Sequence, residues 1–399
     1  MDFTNLKNVL DHFVTAYRTP GVDCMVYQDH EPIFRYYTGM SDLEQKKEIC
    51  GDELYTIFSM TKLTTCTAAL QLLEQGKYIL NDPIAKYLPE FEKMKVAKED
   101  MAQQEESVST TGDVKKPEIS SAFTYAKNPI TVKHLFTMSA GLDYAVEDEV
   151  ITRAIAGGKR TTRELVGAMA DKVLHFEPGT DFLYSLCHDV LGALIEVWSG
   201  QKFGEYVKEH IFLPLGMKDT FFGLPKDEKY LSRMAARYEF GEDGQRVRLP
   251  AESIFFLTEE YESGGAGLMS TTEDYALLLD ALACGGTGKS GASILSPSSI
   301  NLMQQNQLNE KQLQRIEFST LRPGYGYGLG VRTHMDRAAS GSLSPVGEFG
   351  WDGAAGAFAL ADPKNRLSMV YFQQIQRWDG RIQTELRNAL YSALREIKL

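Results

Sequence analysis

Strand-like segments stand at both ends of this chain, and helical periodicity fills the stretch between them. Near the start, Cys24-Met25-Val26-Tyr27 and Ile33-Phe34-Arg35-Tyr36-Tyr37 are apolar and aromatic, and Asp29-His30-Glu31-Pro32 separates them as a turn, so 23–39 reads as a hairpin. Near the end, Tyr325–Arg332, Gly356–Ala361 and Leu367–Gln373 read as strands, the last two joined by the turn Asp362-Pro363-Lys364-Asn365. Strands so few and so short are unstable apart, so the simplest assembly gathers both ends into one antiparallel sheet. Helices expected over 3–17 and 382–397 would cover it. The pattern predicts an α/β (α+β) fold, with a discontinuous sheet lobe (1–58 and 320–399) and a mainly helical lobe (59–319). The cleft between two such lobes is a usual place for a ligand site. Within the helical part, 93–121 turns polar and reads as an exposed insertion.

Charge and cysteine usage remove several function classes. Lys plus Arg number 42 against 54 Asp plus Glu, a net charge of −12, and no basic stripe is present. That is the wrong electrostatic footprint for a nucleic-acid binder. No run of 18 apolar residues exists to cross a membrane. The opening Met1-Asp2-Phe3-Thr4-Asn5-Leu6-Lys7 lacks the apolar stretch of a signal peptide, so a cytoplasmic location is expected. Five cysteines lie far apart without CxxC spacing, which predicts reduced thiols rather than disulfides or zinc. The seven histidines show no HxH or HxxxH pattern, and no metal or other cofactor is expected. Ala283-Cys284-Gly285-Gly286-Thr287-Gly288-Lys289-Ser290 imitates a phosphate loop. It follows a helix rather than a strand and does not open one, so it reads as a loop between helices.

Chemistry concentrates in three segments. The first is Ser59-Met60-Thr61-Lys62 at the start of an apolar helix that stops at Gly76. A spacing of three puts the hydroxyl and the amine on one helical face. Serine is a weak nucleophile that needs a proton acceptor, and a partly buried lysine with a lowered pKa can serve. The spacing alone carries little: with Ser and Lys each near ~6% of residues, about one Ser-x-x-Lys arises by chance in a chain of this length. A second one, Ser199-Gly200-Gln201-Lys202, falls at a helix stop. Ser59 differs because an aromatic extended segment leads directly into it. The second segment is Tyr184-Ser185-Leu186 at a helix start, where a phenol can project into a cleft and relay protons or simply pack. The third is Gly347-Glu348-Phe349-Gly350-Trp351-Asp352-Gly353-Ala354-Ala355-Gly356, whose glycines let a ligand approach a strand backbone, or merely make a tight connection.

In this order and at these separations the segments resemble the serine β-lactamase and penicillin-binding superfamily. The likeness is nearest to the class C-like branch and its esterase relatives, the family VIII carboxylesterases. Supporting pieces are Asp82-Pro83-Ile84, Tyr87-Leu88-Pro89, Ser139-Ala140-Gly141-Leu142, Tyr184-Ser185-Leu186 with Asp189-Val190-Leu191-Gly192, and Ser263-Gly264-Gly265-Ala266-Gly267-Leu268. The resemblance implies a β-lactamase-like fold with five or more antiparallel strands. It implies Ser59 as the acylated nucleophile, Lys62 as its base and Tyr184 as the proton shuttle. The backbone N–H groups of Ser59 and Ala354 would form the oxyanion hole.

Two departures bear on substrate. Trp351-Asp352-Gly353 stands where β-lactamases of this branch carry Lys-Thr-Gly, and Leu186 replaces the asparagine usual after the tyrosine. Trp351, Asp352, Gly353 and Leu186 are therefore taken as substrate-binding positions. If Asp352 points into the cleft, a substrate carboxylate about 4–6 Å away at an effective dielectric of about 20 would meet roughly 3–4 kcal/mol of repulsion. Both departures favour a small-molecule ester over a β-lactam. The expectation is a serine hydrolase on short or medium acyl esters. The rivals are a β-lactamase or D-amino-acid peptidase, and a non-catalytic penicillin-recognising sensor.

Overall fold

The computed structural model describes residues 1–98, 123–320, 323–394 and 396–398. Its main sheet has eight strands, ordered edge to edge Tyr325–Tyr327, Arg332–His334, Phe349–Gly350, Phe358–Asp362, Leu367–Phe372, Gly21–Gln28, Glu31–Asp42 and Lys47–Glu48. The two chain ends meet where Gly21–Gln28 pairs antiparallel with Leu367–Phe372, in the register Cys24 to Tyr371 and Val26 to Met369. The first hairpin turns more tightly than the sequence suggests. Asp29 (φ 52°) and His30 (φ 69°) make a two-residue turn, and Glu31 and Pro32 already belong to the returning strand.

Side-chain alternation explains why both faces of the central strands are buried. Val22, Cys24, Val26, Leu367, Met369 and Tyr371 point to one face, where they pack on Leu6, Leu10 and Phe13 of helix Thr4–Thr15 and on Ile382, Leu386 and Leu390 of helix Arg381–Ala393. Met25, Tyr27, Val370 and Phe372 point the other way, into the larger core. Helix Thr272–Ala283, from the middle of the chain, lies against that second face. The terminal helices thus cover only one side of the sheet.

Helix Thr61–Glu74 is buried on every face from Thr61 through Leu70, with Lys62 and four threonines among the buried residues. A 3-10 turn, Phe58–Met60, precedes it, and the chain leaves it through Gly76 in the left-handed region (φ 70°). The polar segment at 93–121 is described only at its edge: Lys95–Ala97 pairs with Phe123–Tyr125 and Val173–Leu174, and positions 99–121 lie outside the described residues. The glycine-rich stretch at 283–290 is a closed turn. Thr287 bridges to Ser293, and exposed Lys289 pairs with Glu31. No helix among the described residues is long and apolar enough to cross a membrane.

Candidate active site

Ser59 is the one residue between Glu53 and Leu70 that is not buried. The segment before it is fixed on both sides. Tyr55–Thr56 pairs with Leu268–Ser270, and Phe58 is held in the left-handed region at φ 46°, a strained conformation for an aromatic residue. That bend turns Ser59 outward at the start of the helix while Lys62, three residues on, turns inward.

Lys62 is completely buried, more deeply than the sequence suggests. Its Nζ donates to Gly265 O (2.7 Å), and Tyr144 Oη (3.1 Å) and Ser59 Oγ (3.2 Å) complete its partners. Burial lowers the ammonium to about 7, although the nearby charge of Asp189 acts the other way. A neutral amine has two hydrogens and one lone pair. The Gly265 carbonyl can only accept, so it fixes one hydrogen, and the other hydrogen and the lone pair are divided between Tyr144 and Ser59. With N–H on Tyr144, the lone pair faces Ser59 Oγ, which is the arrangement a general base requires.

Two tyrosines share this amine. Tyr144 lies on the loop after Gly141-Leu142, tied down by Lys172, which donates to Asp143 Oδ1 (2.8 Å) and to Ala145 O (3.0 Å) and also grips Asp148. Burial raises the Tyr144 phenol well above its ordinary value, so it stays protonated. Tyr184 stacks on Tyr144 with ring centroids 5.3 Å apart and presents its face to Lys62 Nζ at 4.6 Å. Its Oη accepts from Trp351 Nε1 (2.9 Å). Ser59, Lys62, Tyr184 and Trp351 therefore do come together, and Tyr144 joins them as a residue the sequence reading missed. Its only signal was an aromatic side chain two positions beyond the Ser139–Leu142 motif.

The Trp351 loop reaches the nucleophile through its backbone. A side chain at Gly353 would stand 2.6 Å from Ile57 O, so this loop lies directly against the residues that lead into Ser59. Ala354, next in line, is exposed.

Two expected substrate contacts need correcting. Asp352 does not face the cleft: it is buried and accepts from Arg332 Nη1 at 2.7 Å. Arg332 also donates to Glu348 Oε1 (2.8 Å) and to Ala359 O (3.1 Å), and Arg387 donates to Glu348 Oε2 (3.2 Å). Burial alone would raise the Glu348 carboxyl, but Arg387 and Arg332 outweigh it and hold it down to about 2. Asp352 is therefore an anchor for the loop, and its charge is spent on Arg332 rather than on a substrate. Leu186 is likewise 1% exposed, within the core, with its N–H donated to Asp143 O (3.0 Å). It braces the Tyr144 loop against the Tyr184 segment and lines no cleft.

Breaking the Arg332 cluster should show as lost stability. Arg332→Met leaves two buried carboxylates short of their cation, for which about 3–5 kcal/mol is expected. Urea unfolding with a loss below about 1 kcal/mol would mean that the cluster does not hold the loop.

Among the described residues, His30, Asp280 and Cys284 come close enough together to suggest a metal site. The hydrogen bonds argue otherwise. Arg366 donates to His30 Nε2 (3.1 Å), which forces the ring proton onto Nδ1, where it is donated to Asp280 Oδ2 (2.8 Å). Neither ring nitrogen keeps a free lone pair, and the guanidinium would repel a cation.

Comparison with known proteins bears on the family of the chain. Residues 6–392 match the family model described as Beta-lactamase. Rv1367c of Mycobacterium tuberculosis is 30% identical over 364 residues, covering 89% of this chain and 85% of its own. Esterase EstB of Burkholderia gladioli is 26% identical over 413 residues, covering 97% and 94%. Among solved structures, a family VIII carboxylesterase superposes with a TM-score of 0.73 at 20% identity, covering 98% of this chain and 97% of that one. A family model spanning nearly the whole sequence, the shared architecture and the buried lysine beside a helix-start serine lead to one conclusion: the chain belongs to the beta-lactamase family, in the serine-hydrolase-fold superfamily that includes esterases.

Proposed function

We propose that this protein is a serine hydrolase, a carboxylesterase on short or medium acyl esters, working through an acyl-enzyme at Ser59. The observation that carries this reading is the fully buried Lys62 amine 3.2 Å from Ser59 Oγ, with its other hydrogen-bonding directions occupied. In acylation the Ser59 O–H bond breaks and its proton moves to the Nζ lone pair. Oγ bonds to the ester carbonyl carbon, and the carbonyl π pair moves onto oxygen, facing the Ser59 and Ala354 N–H groups. Collapse of this intermediate expels the alcohol, which takes a proton delivered through Tyr184. Water repeats the sequence to free the acid. An alcohol in place of water would give acyl transfer by the same steps.

The substrate preference rests on the aromatic wall. Tyr144, Tyr184 and Trp351 form a stack, and Phe255 meets Tyr144 edge-on at 5.3 Å. Such a wall suits an uncharged acyl or alkoxy group. In the Trp351-Asp352-Gly353 stretch, the one charged side chain is neutralised by Arg332, so nothing there would hold a substrate carboxylate. The name of the Burkholderia relative points the same way.

The test is a fluorophosphonate probe followed by peptide mapping, run beside p-nitrophenyl butyrate and a chromogenic cephalosporin. One adduct on the Ser59 peptide, with ester turnover exceeding cephalosporin turnover, is expected. A protein that stays unlabelled, or is labelled elsewhere, refutes the acyl-enzyme. Labelling without ester turnover would favour the sensor.

A further inference from the structure

A buried carboxyl group lies behind the lysine and has no part in the proton transfers above; burial raises it, and Ser263, Tyr261 and the Lys62 charge act the other way to favour its ionised form. Asp189 sits in the first turn of helix Cys187–Ser199 and is completely buried. One carboxylate oxygen, Oδ1, accepts from Ser263 Oγ (2.6 Å) and Tyr261 Oη (2.7 Å). The other, Oδ2, accepts no side-chain hydrogen bond among the described residues and is aimed at Gly265. A methyl group added at Gly265 would stand 2.7 Å from that oxygen and 3.4 Å from Lys62 Nζ. Carboxylate and amine thus face each other across the space of one missing side chain. The neighbouring Gly264 is pressed as closely on His188 O, where a side chain would come within 2.2 Å. The glycine pair is what lets the two charged groups approach.

Every other titratable group facing Lys62 is either a reactant or uncharged. Cys66 comes from its own helix and Ser59 from the 3-10 turn before it, Tyr144 and Tyr184 from the two segments of the aromatic stack, and Cys187 and His188 from the helix that carries Asp189. Burial raises the Cys66 and Cys187 thiols and the Tyr144 phenol, and lowers His188 well below its ordinary range, so these stay neutral.

We propose that Asp189 is a positioning residue for the reaction, the buried counter-charge that stabilises the Lys62 ammonium formed when Ser59 gives up its proton. The inference rests on the acyl-enzyme reading above. It assigns to the Ser263-Gly264-Gly265 turn the task of holding this carboxylate at close range. The turn supplies the Ser263 hydroxyl to one oxygen and brings the Gly265 backbone, whose carbonyl holds Lys62, up against the other. Without the counter-charge, Lys62 would be a weaker base, because its protonated form would be left alone in an apolar pocket.

The experiment is the pH dependence of Ser59 phosphonylation by a fluorophosphonate, in which Oγ bonds to phosphorus as fluoride leaves and the proton passes to Lys62, with the full-length protein and Asp189→Asn. In the parent the rate should rise with pH as Lys62 loses its proton. In D189N the midpoint should move down by about one pH unit or more and the plateau should fall about tenfold or more. A purely structural loss would lower the plateau and leave the midpoint alone, and that result, or an upward shift, overturns the proposal. If D189N does not fold, Asp189→Ser is read in the same way. Ser263→Ala strips a donor from the carboxylate but keeps its charge, so its midpoint should stay at the parent value or rise. A parent protein that is never phosphonylated at Ser59 fails the underlying reading, and this inference falls with it. Phosphonylation with an unmoved D189N midpoint fails the inference alone.

Discussion

Lys62→Met is expected to lower kcat/KM for esters by about four orders of magnitude with little change in KM. The side chain makes no contact that a bound ester would need, so the loss should fall on the chemical step. Its lone pair faces Ser59 when Gly265 O and Tyr144 Oη take the two hydrogens of the neutral amine. Lys62→Arg should be as poor as Lys62→Met, since a guanidinium stays charged and cannot accept a proton. Ser59→Ala should fall to the same floor, and the Ser59→Ala, Lys62→Met double variant should fall no further, because nucleophile and base act as one unit. Steady-state kinetics on one ester tests all four. Losses that multiply in the double variant, or a Lys62→Met enzyme within tenfold of the parent, would assign the proton to another acceptor. The pH profile gives a further sign. The neutral amine is the working form and burial lowers it to about 7, so kcat/KM should rise as pH climbs through 7. That limb should vanish with the lysine.

What could be read in the chain before its structure divides along a physical line. Groups linked by local geometry were legible. Ser59 and Lys62 meet because positions three apart on a helix share a face, and the hairpin at 23–39 followed from two apolar runs and a turn. The joining of both chain ends in one sheet was legible too, since isolated strands have nowhere else to pair. Side-chain direction was not. Asp352 looked like a cleft residue because Trp351-Asp352-Gly353 stands where the resembled β-lactamases carry Lys-Thr-Gly. Whether it points in or out is decided by Arg332 on a neighbouring strand, and no spacing rule announces that partner. Leu186 misled in the same way, standing where the resembled family carries an asparagine after the tyrosine while its side chain entered the core. Asp189 belongs to a short motif that was visible as a motif, and Tyr144 stands two positions beyond another. Their meaning comes from a common centre at Lys62, to which the loop at 139–146, the helix after Tyr184 and the turn at 263–267 contribute from far apart in sequence.

The two tyrosines can be told apart by the leaving group. Tyr184→Phe should lower kcat on an alkyl ester by about two to three orders of magnitude, since an alkoxide must be protonated to depart and proton delivery of this kind is worth about that much. On a p-nitrophenyl ester the same variant should lose less than about tenfold, because p-nitrophenolate leaves without a proton. Tyr144→Phe should behave differently. Its hydroxyl is 3.1 Å from Lys62 Nζ and takes the hydrogen that would otherwise compete for the serine-facing direction. Removing it leaves the amine free to turn its lone pair away from Ser59, a fault in the attack step that the leaving group cannot repair. An equal loss on both esters, about ten- to a hundredfold, is therefore expected. The stacking of the two rings, 5.3 Å between centroids, makes the phenylalanine replacements mild, because each keeps its ring in place. Parallel kcat measurements on an ethyl ester and a p-nitrophenyl ester of the same acid give the answer. If Tyr144→Phe is the variant sensitive to the leaving group and Tyr184→Phe the insensitive one, the roles are exchanged: Tyr144 carries the proton, and Tyr184, held by the Trp351 indole, supports the wall behind it.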